Sequence, residues 1–391
     1  MRIAHVITRM IIGGAQENTL LTCLDLRDLF GDEVLVITGP ALGPEGSLMD
    51  RVRAAGLPYV EINSLRRAIH PWRDTTSYRH IRRALAEFRP DVVHTHSAKG
   101  GILGRQAAWS LQVPVVVHTV HGAPFHPYQY AAVRAAFRAC ERRAAGQCHA
   151  MISVADAMTD LMVEAGVAPR EKFTTIYSGM EVEPFLAADS LRAETRRRLG
   201  YTDDHVVIGK VARLFALKGH EYVIEAARSV VQNHPQARFL LVGDGTWRAS
   251  LHQQIAAAGL RGHFQFTGLV PPAGIPALLA ATDIVVHASL REGLARVLPQ
   301  ALIVGRPVIS FDIDGAREVV LPGQTGLLVS PQSVPGLVVA LAELIPDAPL
   351  RQRMAAEGRR RCTEMFRHQD CSRKIRELYQ AVSVSSGPSA C

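Results

Sequence analysis

Short apolar segments alternate with helical stretches along almost the whole chain, and this alternation constrains the fold more than any other feature. One series of candidate strands runs Ile3–Thr8, Glu33–Thr38, Pro58–Ile62, Val92–His96, Val115–Thr119 and Met151–Val154. A second runs Val206–Ala212, Arg238–Val242, Phe264–Thr267, Ile284–Ala288, Val308–Phe311 and Gly326–Val329. Segments such as "VPVVVHTV" and "DIVVHAS" are apolar on both faces, as strands buried in a parallel sheet are. Helical patterns such as Gly219–Asn233 and Trp247–Ala258 lie between them. Strand–helix alternation predicts a doubly wound α/β architecture, and two series predict two Rossmann-like domains, for which 391 residues suffice.

The boundary falls at "TTIYSGMEVEPF", where Ser178-Gly179 signals a turn between a strand and a polar, proline-containing segment that leads to the charged helix "SLRAETRRRLG". This gives domains at 1–180 and 181–364. The last helical stretch spans about Leu350 to Ala381, and the small, polar tail 382–391 reads as disordered. No internal repeat or low-complexity block is visible.

A hydrophobic content of 48% and a charged content of 20% describe a globular protein, and the formal charge of +8 favours phosphates or an anionic surface as partners. The six cysteines form no CxxC pair, so a cytoplasmic protein with reduced thiols and no zinc or redox motif is expected. The N-terminal "MRIAHVITRMIIGGAQ" does not read as a signal peptide, because Arg9 interrupts the apolar run. No apolar run reaches the roughly 18 residues of a membrane span, so any membrane contact is expected to be peripheral.

The stretch Asp283–Val320 carries the richest chemistry. A strand runs into a polar turn with Glu292, a helix follows with Gln300, and a second strand leads to the turn "DIDGAREVV" with Gly315 and Glu318. A carboxylate at a strand's C-terminal edge beside a helix N-terminus can hold a polar ligand. In "VARLFALKGHEYVIEAA", Arg213 follows a strand and Lys218 precedes a helix, so two cations are placed to neutralise a diphosphate facing the helix dipole. Gly13 and Gly14 let backbone approach a phosphate or sugar, although a plain strand-to-helix turn has the same signature. "LVGDGTWRASL" offers Gly243 and Gly245 without the third glycine of a dinucleotide fingerprint.

Histidines end two first-domain strands. In "VVVHTVHGAPFH", His118 reads as a core residue and His121 as a strand-end residue. In "DVVHTHSAKGGILGR", His94 and His96 share a strand face, with no third metal ligand evident, and Ser97 and Lys99 are unspecific candidates for acceptor contact. Arginine-rich stretches around Trp72 and Tyr78, and Arg134, Arg138 and Arg142 at four-residue spacing, read either as solvated faces or as a surface for an anionic membrane or a lipid-pyrophosphate acceptor. No nucleic-acid-binding module is recognisable, so no nucleic acid is expected as a partner.

As a set, these motifs resemble retaining GT-B glycosyltransferases, the glycogen-synthase-like group usually called family 4, over nearly the whole chain. The resemblance implies two Rossmann-like domains facing a central cleft, with the final helix, about 365–381, crossing back onto the first. It implies a sugar moved from a nucleotide diphosphate sugar to a hydroxyl of a glycan or lipid-linked acceptor. No metal or other cofactor is implied. Arg213 and Lys218 are implied to hold the diphosphate, and Glu292 and His121 to position the sugar. Gly13, Gly14, Gly243, Gly315 and the Gly268–Leu269–Val270 loop are implied to line the donor, the loop by backbone contacts to the base. The family pattern has a second Glu where this chain has Gln300, which can still bond a ribose hydroxyl, more weakly by about 1–2 kcal/mol. A sugar-nucleotide epimerase of the same fold, or a non-catalytic nucleotide or glycan binder, stays open at this level. The base, sugar, linkage and oligomeric state leave no trace in the sequence.

Overall fold

The structure, a computed structural model, describes residues 1–43 and 46–385. The chain divides into two units, the first formed by Met1–Met180 with Arg367–Cys391, the second by Glu181–Phe366.

In the first unit seven parallel strands are β1 (Arg2–Ile7), β2 (Glu33–Thr38), β3 (Tyr59–Glu61), β4 (Val92–His96), β5 (Val115–Val120), β6 (Ala150–Ser153) and β7 (Phe173–Thr175). Their order is β3-β2-β1-β4-β5-β6-β7. The centre is buried on both faces: β4 and β5 are buried at every position, their histidines and threonines included. The strand expected just before Ser178-Gly179 is β7, only three residues long and with none of them fully buried.

The second unit has six parallel strands: β8 (Val206–Val211), β9 (Ala237–Val242), β10 (Phe264–Gly268), β11 (Ile284–His287), β12 (Val308–Phe311) and β13 (Gly326–Val329). Their order is β10-β9-β8-β11-β12-β13. Its core packs Ile208, Phe239, Leu241, Val286, Ile309 and Phe311 against the helices His220–Asn233 and Val334–Leu344.

Both sheets reverse direction next to their first strand, between β1 and β4 and between β8 and β11. Such switch points leave a crevice at the C-terminal ends of the strands, where open α/β sheets bind ligands.

The C-terminal stretch, read from sequence as continuous, is two helices, Ala348–Met365 and His368–Ser385. The second packs on the helix Gly14–Asp28 of the first unit. Asp25 accepts from the His368 ring at 2.8 Å and the Ser372 hydroxyl at 2.7 Å, and Arg376 pairs with Asp32 at 2.9 Å. The expected disordered tail at 382–391 is corrected for 382–385, which continue the helix because Val382 packs on the first-unit core. The remaining tail lies outside the described residues.

Candidate functional site

The second unit assembles its polar residues around the ends of β8 and β11. After β8 the chain makes a tight loop and enters the helix His220–Asn233 through Gly219. This glycine sits in the left-handed region (φ 64°), and a Cβ there would stand 1.8 Å from the Ala288 carbonyl oxygen. The close approach, with Leu290 N–H donating to Leu217 O at 2.9 Å, brings the β8 loop against the end of β11.

That contact sets Lys218 Nζ 2.5 Å from Glu292 Oε1. His287, the last residue of β11, places Nε2 3.4 Å from the same oxygen. The Glu292 backbone N–H donates to Asp314 Oδ2 at 2.6 Å, tying the Glu292 turn to the "DIDG" turn before Gly315. Burial alone raises the Glu292 carboxyl, but Lys218 and His287 more than offset it and hold it well below the usual carboxylate range. Glu292 is therefore a carboxylate at neutral pH, able to accept hydrogen bonds but not to act as an acid.

Arg213 is exposed just after β8, its guanidinium 5.4 Å from the centroid of the Phe215 ring. His220 Nε2 meets the Arg213 carbonyl oxygen at 3.0 Å and so fixes the backbone there. Beside it, Gly243 N–H donates to Gly268 O at 3.1 Å. Gly243 has φ +137°, and a Cβ on it would lie 2.2 Å from Ala212 O, so the position admits only glycine. Leu269 follows, 61% exposed. Gln300 is half-buried on the helix Val297–Val304, and Gly315 is buried. The structure thus brings Arg213, Lys218, Gly243, Gly268, Glu292 and Gly315 to the C-terminal edge of one sheet.

In the first unit, Gly13 and Gly14 open the helix Gly14–Asp28 after β1. Ser97 and Lys99 are half-buried and have partners within the first unit. The Ser97 hydroxyl meets Thr8 Oγ1 at 2.8 Å and joins β1 to β4, while Lys99 pairs with Asp74 at 2.6 Å and donates to Ala68 O. His118 is a core residue, its Nδ1 2.9 Å from Thr95 Oγ1. His94 and His96 do gain a third histidine: β1 sets His5 beside His94, and the three rings offer nitrogens within 4.8 Å of one another. His121 is half-buried, its Nε2 3.1 Å from His96 Nδ1.

The basic face on the helix Ala131–Ala145 is corrected in part. Arg138 and Arg142 donate to the carbonyls of Ala165 and Gly166, so they cap the end of a neighbouring helix instead of facing an anion. Residues not singled out in the sequence are His287, Asp314, Lys210 and His5. For His287 and His5 the signal was a histidine in an otherwise apolar strand beside the switch point.

Two units, each a parallel sheet covered by helices with a switch point beside its first strand, have the GT-B architecture. Comparison with known proteins agrees. Residues 192–361 match the model for glycosyl transferases group 1, and residues 13–179 match a glycosyl transferase 4-like domain. The chain belongs to the group 1 glycosyltransferases. It is 29% identical to the UDP-Gal:alpha-D-GlcNAc-diphosphoundecaprenol alpha-1,3-galactosyltransferase of Escherichia coli, over 97% of this chain and 96% of that one. It is 32% identical to the alpha-D-kanosaminyltransferase of Streptomyces kanamyceticus, over 55% of this chain and 56% of that protein's length. Anabaena HepE in complex with UDP shares the fold, with a TM-score of 0.82 at 22% identity, covering 97% of this chain and all (100%) of that one. Among the described residues no helix is long and apolar enough to cross a membrane.

Proposed function

We propose that this chain moves a hexosyl group from a nucleoside diphosphate sugar to a hydroxyl of a glycan or lipid-linked acceptor, with retention of anomeric configuration. The observation that carries the reading is the Lys218–Glu292 pair at the β8–β11 switch point, with Arg213 on the same edge. A diphosphate there meets two cations and the N-terminus of the helix His220–Asn233. Both cations stabilise the charge that develops on the departing nucleoside diphosphate. Glu292, ionised, accepts from sugar hydroxyls and favours an oxocarbenium-like transition state. In the step itself the acceptor oxygen bonds to the anomeric carbon on the face that the leaving group vacates. The bond from that carbon to the phosphate oxygen breaks, and the acceptor proton passes to the freed phosphate. His121 is assigned to a hydroxyl of the sugar or acceptor. The lipid-linked acceptor named for the Escherichia coli relative, which aligns over nearly the full length, supports an acceptor of that class.

Peripheral contact with an anionic membrane is part of the same proposal. It is supported by Trp72, 81% exposed on the arginine-rich helix Pro71–Phe88. Sedimentation with anionic vesicles, lost in Trp72→Ser, tests it; no sedimentation overturns it.

The first experiment is thermal unfolding against UDP, GDP and ADP and their sugars. Ligand at a hundred times its dissociation constant stabilises the native state by about 2.7 kcal/mol. A shift with one nucleotide, lost in Lys218→Ala and Arg213→Ala, is expected; no shift with any at millimolar concentration sinks the reading. NMR of the product's anomeric configuration then tests retention.

A further inference from the structure

The second unit holds an arginine-lined cavity at the edge of its sheet opposite the candidate site. It lies where β11 and β12 begin: Asp283 directly precedes β11, Arg306 lies in the turn into β12, and the helix Ala348–Met365 forms one wall. Its volume is about 590 Å³, within the range that takes small-molecule ligands and well above the room one ion needs.

Five arginines line the cavity against two carboxylates, and both carboxylates are already shared. Asp189 pairs with Arg306 at 2.9 Å and with Arg359 at 2.7 Å. Asp283 pairs with Arg192 at 2.6 Å and with the neighbouring Arg196 at 3.0 Å. Arg360 is taken by Glu357 at 2.7 Å. Arg351 meets no carboxylate: its Nη1 donates to the carbonyls of Leu344 and Ile345, each at 2.6 Å. Among the described residues its Nε and Nη2 have no hydrogen-bond partner, and Arg306 Nε is buried without one. Six arginines thus meet three carboxylates in and around the cavity, which leaves three positive charges.

Capping explains part of this surplus. Arg192 and Arg306 donate to Ala280 O at the end of the helix Ile275–Ala281, Arg359 to Ile303 O and Val304 O at the end of Val297–Val304, and Arg351 to the end of Val334–Leu344. A helix C-terminus carries about half a negative charge, so three of them offset about one and a half. The rest is unmatched. Burial pulls the Arg306 and Arg351 guanidinium groups below their ordinary range, and Arg192 adds to it in both, so these charges are held at a cost that an anion would relieve.

We propose that this cavity binds a small phosphate-bearing anion, as a second ligand site of the unit, separate from the candidate donor site. Arg351 and Arg306 supply the unused donors, and a planar guanidinium presents parallel N–H groups that match phosphate oxygens. The surplus charge rejects a cation, and the guanidinium lining rejects an apolar ligand. None of the residues named here belongs to the set at the other edge of the sheet, so the site does not depend on the glycosyl-transfer reading.

The test is isothermal titration calorimetry of the full chain with pyrophosphate at low ionic strength. The candidate donor site also favours a diphosphate, so the titration is made in Lys218→Ala, which should still bind one pyrophosphate. In that background Gln352→Glu, an isosteric change at an exposed position of the cavity wall, puts a like charge beside the anion. It should weaken binding about tenfold or more and leave the melting temperature unchanged. Arg351→Gln should weaken it likewise. Inorganic phosphate and glycerol phosphate, titrated in the same way, separate a free anion from the phosphate of an ester, the tighter of the two identifying the source. No binding of any of the three to Lys218→Ala, or binding that either variant leaves unchanged, overturns the proposal. A protein that ignores nucleotides at the donor site still gives this titration, so the two readings fail separately.

Discussion

Replacing Lys210 by methionine should stabilise the second unit, and by an amount that depends on pH in a defined way. Lys210 lies in β8, 1% exposed, with no partner for its Nζ. Burial pushes its ammonium down to about 7; Lys218 acts in the same direction, and Glu221 and Glu292 oppose. In the unfolded chain a lysine titrates near 10.4, so from pH 7 to 10 the unfolded state binds more protons than the folded one. Stability of the wild type therefore rises with pH over that window. Linkage puts the penalty at about 4 kcal/mol at pH 7 and about 2 kcal/mol at pH 9. Methionine fills a similar volume without the charge. The assay is urea unfolding in a Trp72→Phe/Trp109→Phe background, where Trp247, packed on the second-unit core, is the remaining tryptophan. The variant should exceed the wild type by about 4 kcal/mol at pH 7, and the gap should halve by pH 9. A gap that stays constant with pH would be packing alone and would refute the reasoning, as would a less stable variant.

Three further outcomes follow from particular contacts. Arg105 and Glu141 pair at 2.9 Å, 0% and 3% exposed at the side chain, so Glu141→Gln should cost the first unit about 3–5 kcal/mol. The double change Arg105→Met/Glu141→Leu should recover most of that in the same urea titration, and no recovery would mean that packing, not charge, holds the pair. Gly219→Ala meets both a left-handed backbone and the Ala288 carbonyl; it should cost about 3 kcal/mol or more and abolish any nucleotide-induced thermal shift. Acidification should loosen the first unit. Burial keeps His5, His94, His96 and His118 neutral when folded, whereas the unfolded chain protonates them below pH about 6.5. Stability is thus intact above that pH and falls below it by about 1.4 kcal/mol per histidine between pH 7.5 and 5.5, or about 5 kcal/mol in all. Amide exchange in β1, β4 and β5 reads this directly, and unchanged protection at pH 5.5 would contradict it.

The strands were legible because central parallel strands are apolar on both faces and need no periodicity to be seen. β7 was placed only by the turn that follows it and not bounded, since an edge strand of three partly exposed residues has no such signature. The break between Met365 and His368 carries no glycine or proline, so the last two helices read as one. Arg213, Lys218 and Glu292 were visible because strand-end motifs are local in sequence. Their partners were not. His287 and Lys210 look like strand filler until the loop entering Gly219 folds onto Ala288. His5 and His96 are separated by 91 positions, and only the strand order β1-β4 makes them neighbours. Arg138 and Arg142 were misread because spacing fixes a helix face but not what lies opposite it.

The second unit also concentrates unmet polar groups beneath its site. Lys210 Nζ, His220 Nδ1, Glu221 Oε2, His287 Nδ1 and Ser289 Oγ are all buried without partners, and all belong to β8, to the helix that follows it, or to the end of β11. Each such group costs about 1–3 kcal/mol in a folded protein. Residues kept at that cost beside a switch point are more economically explained by a ligand's charge than by stability. Lys218 and Glu292 act on the Lys210 ammonium through space, which places its charge in the field that a diphosphate at this site would meet. The substitution that stabilises this unit should therefore weaken its hold on a nucleoside diphosphate, and more at pH 6, where Lys210 is charged, than at pH 9. If Lys210→Met binds nucleotide as tightly as wild type at both pH values, the buried ammonium serves neither stability nor the donor, and the link drawn between the unmet groups and the site fails.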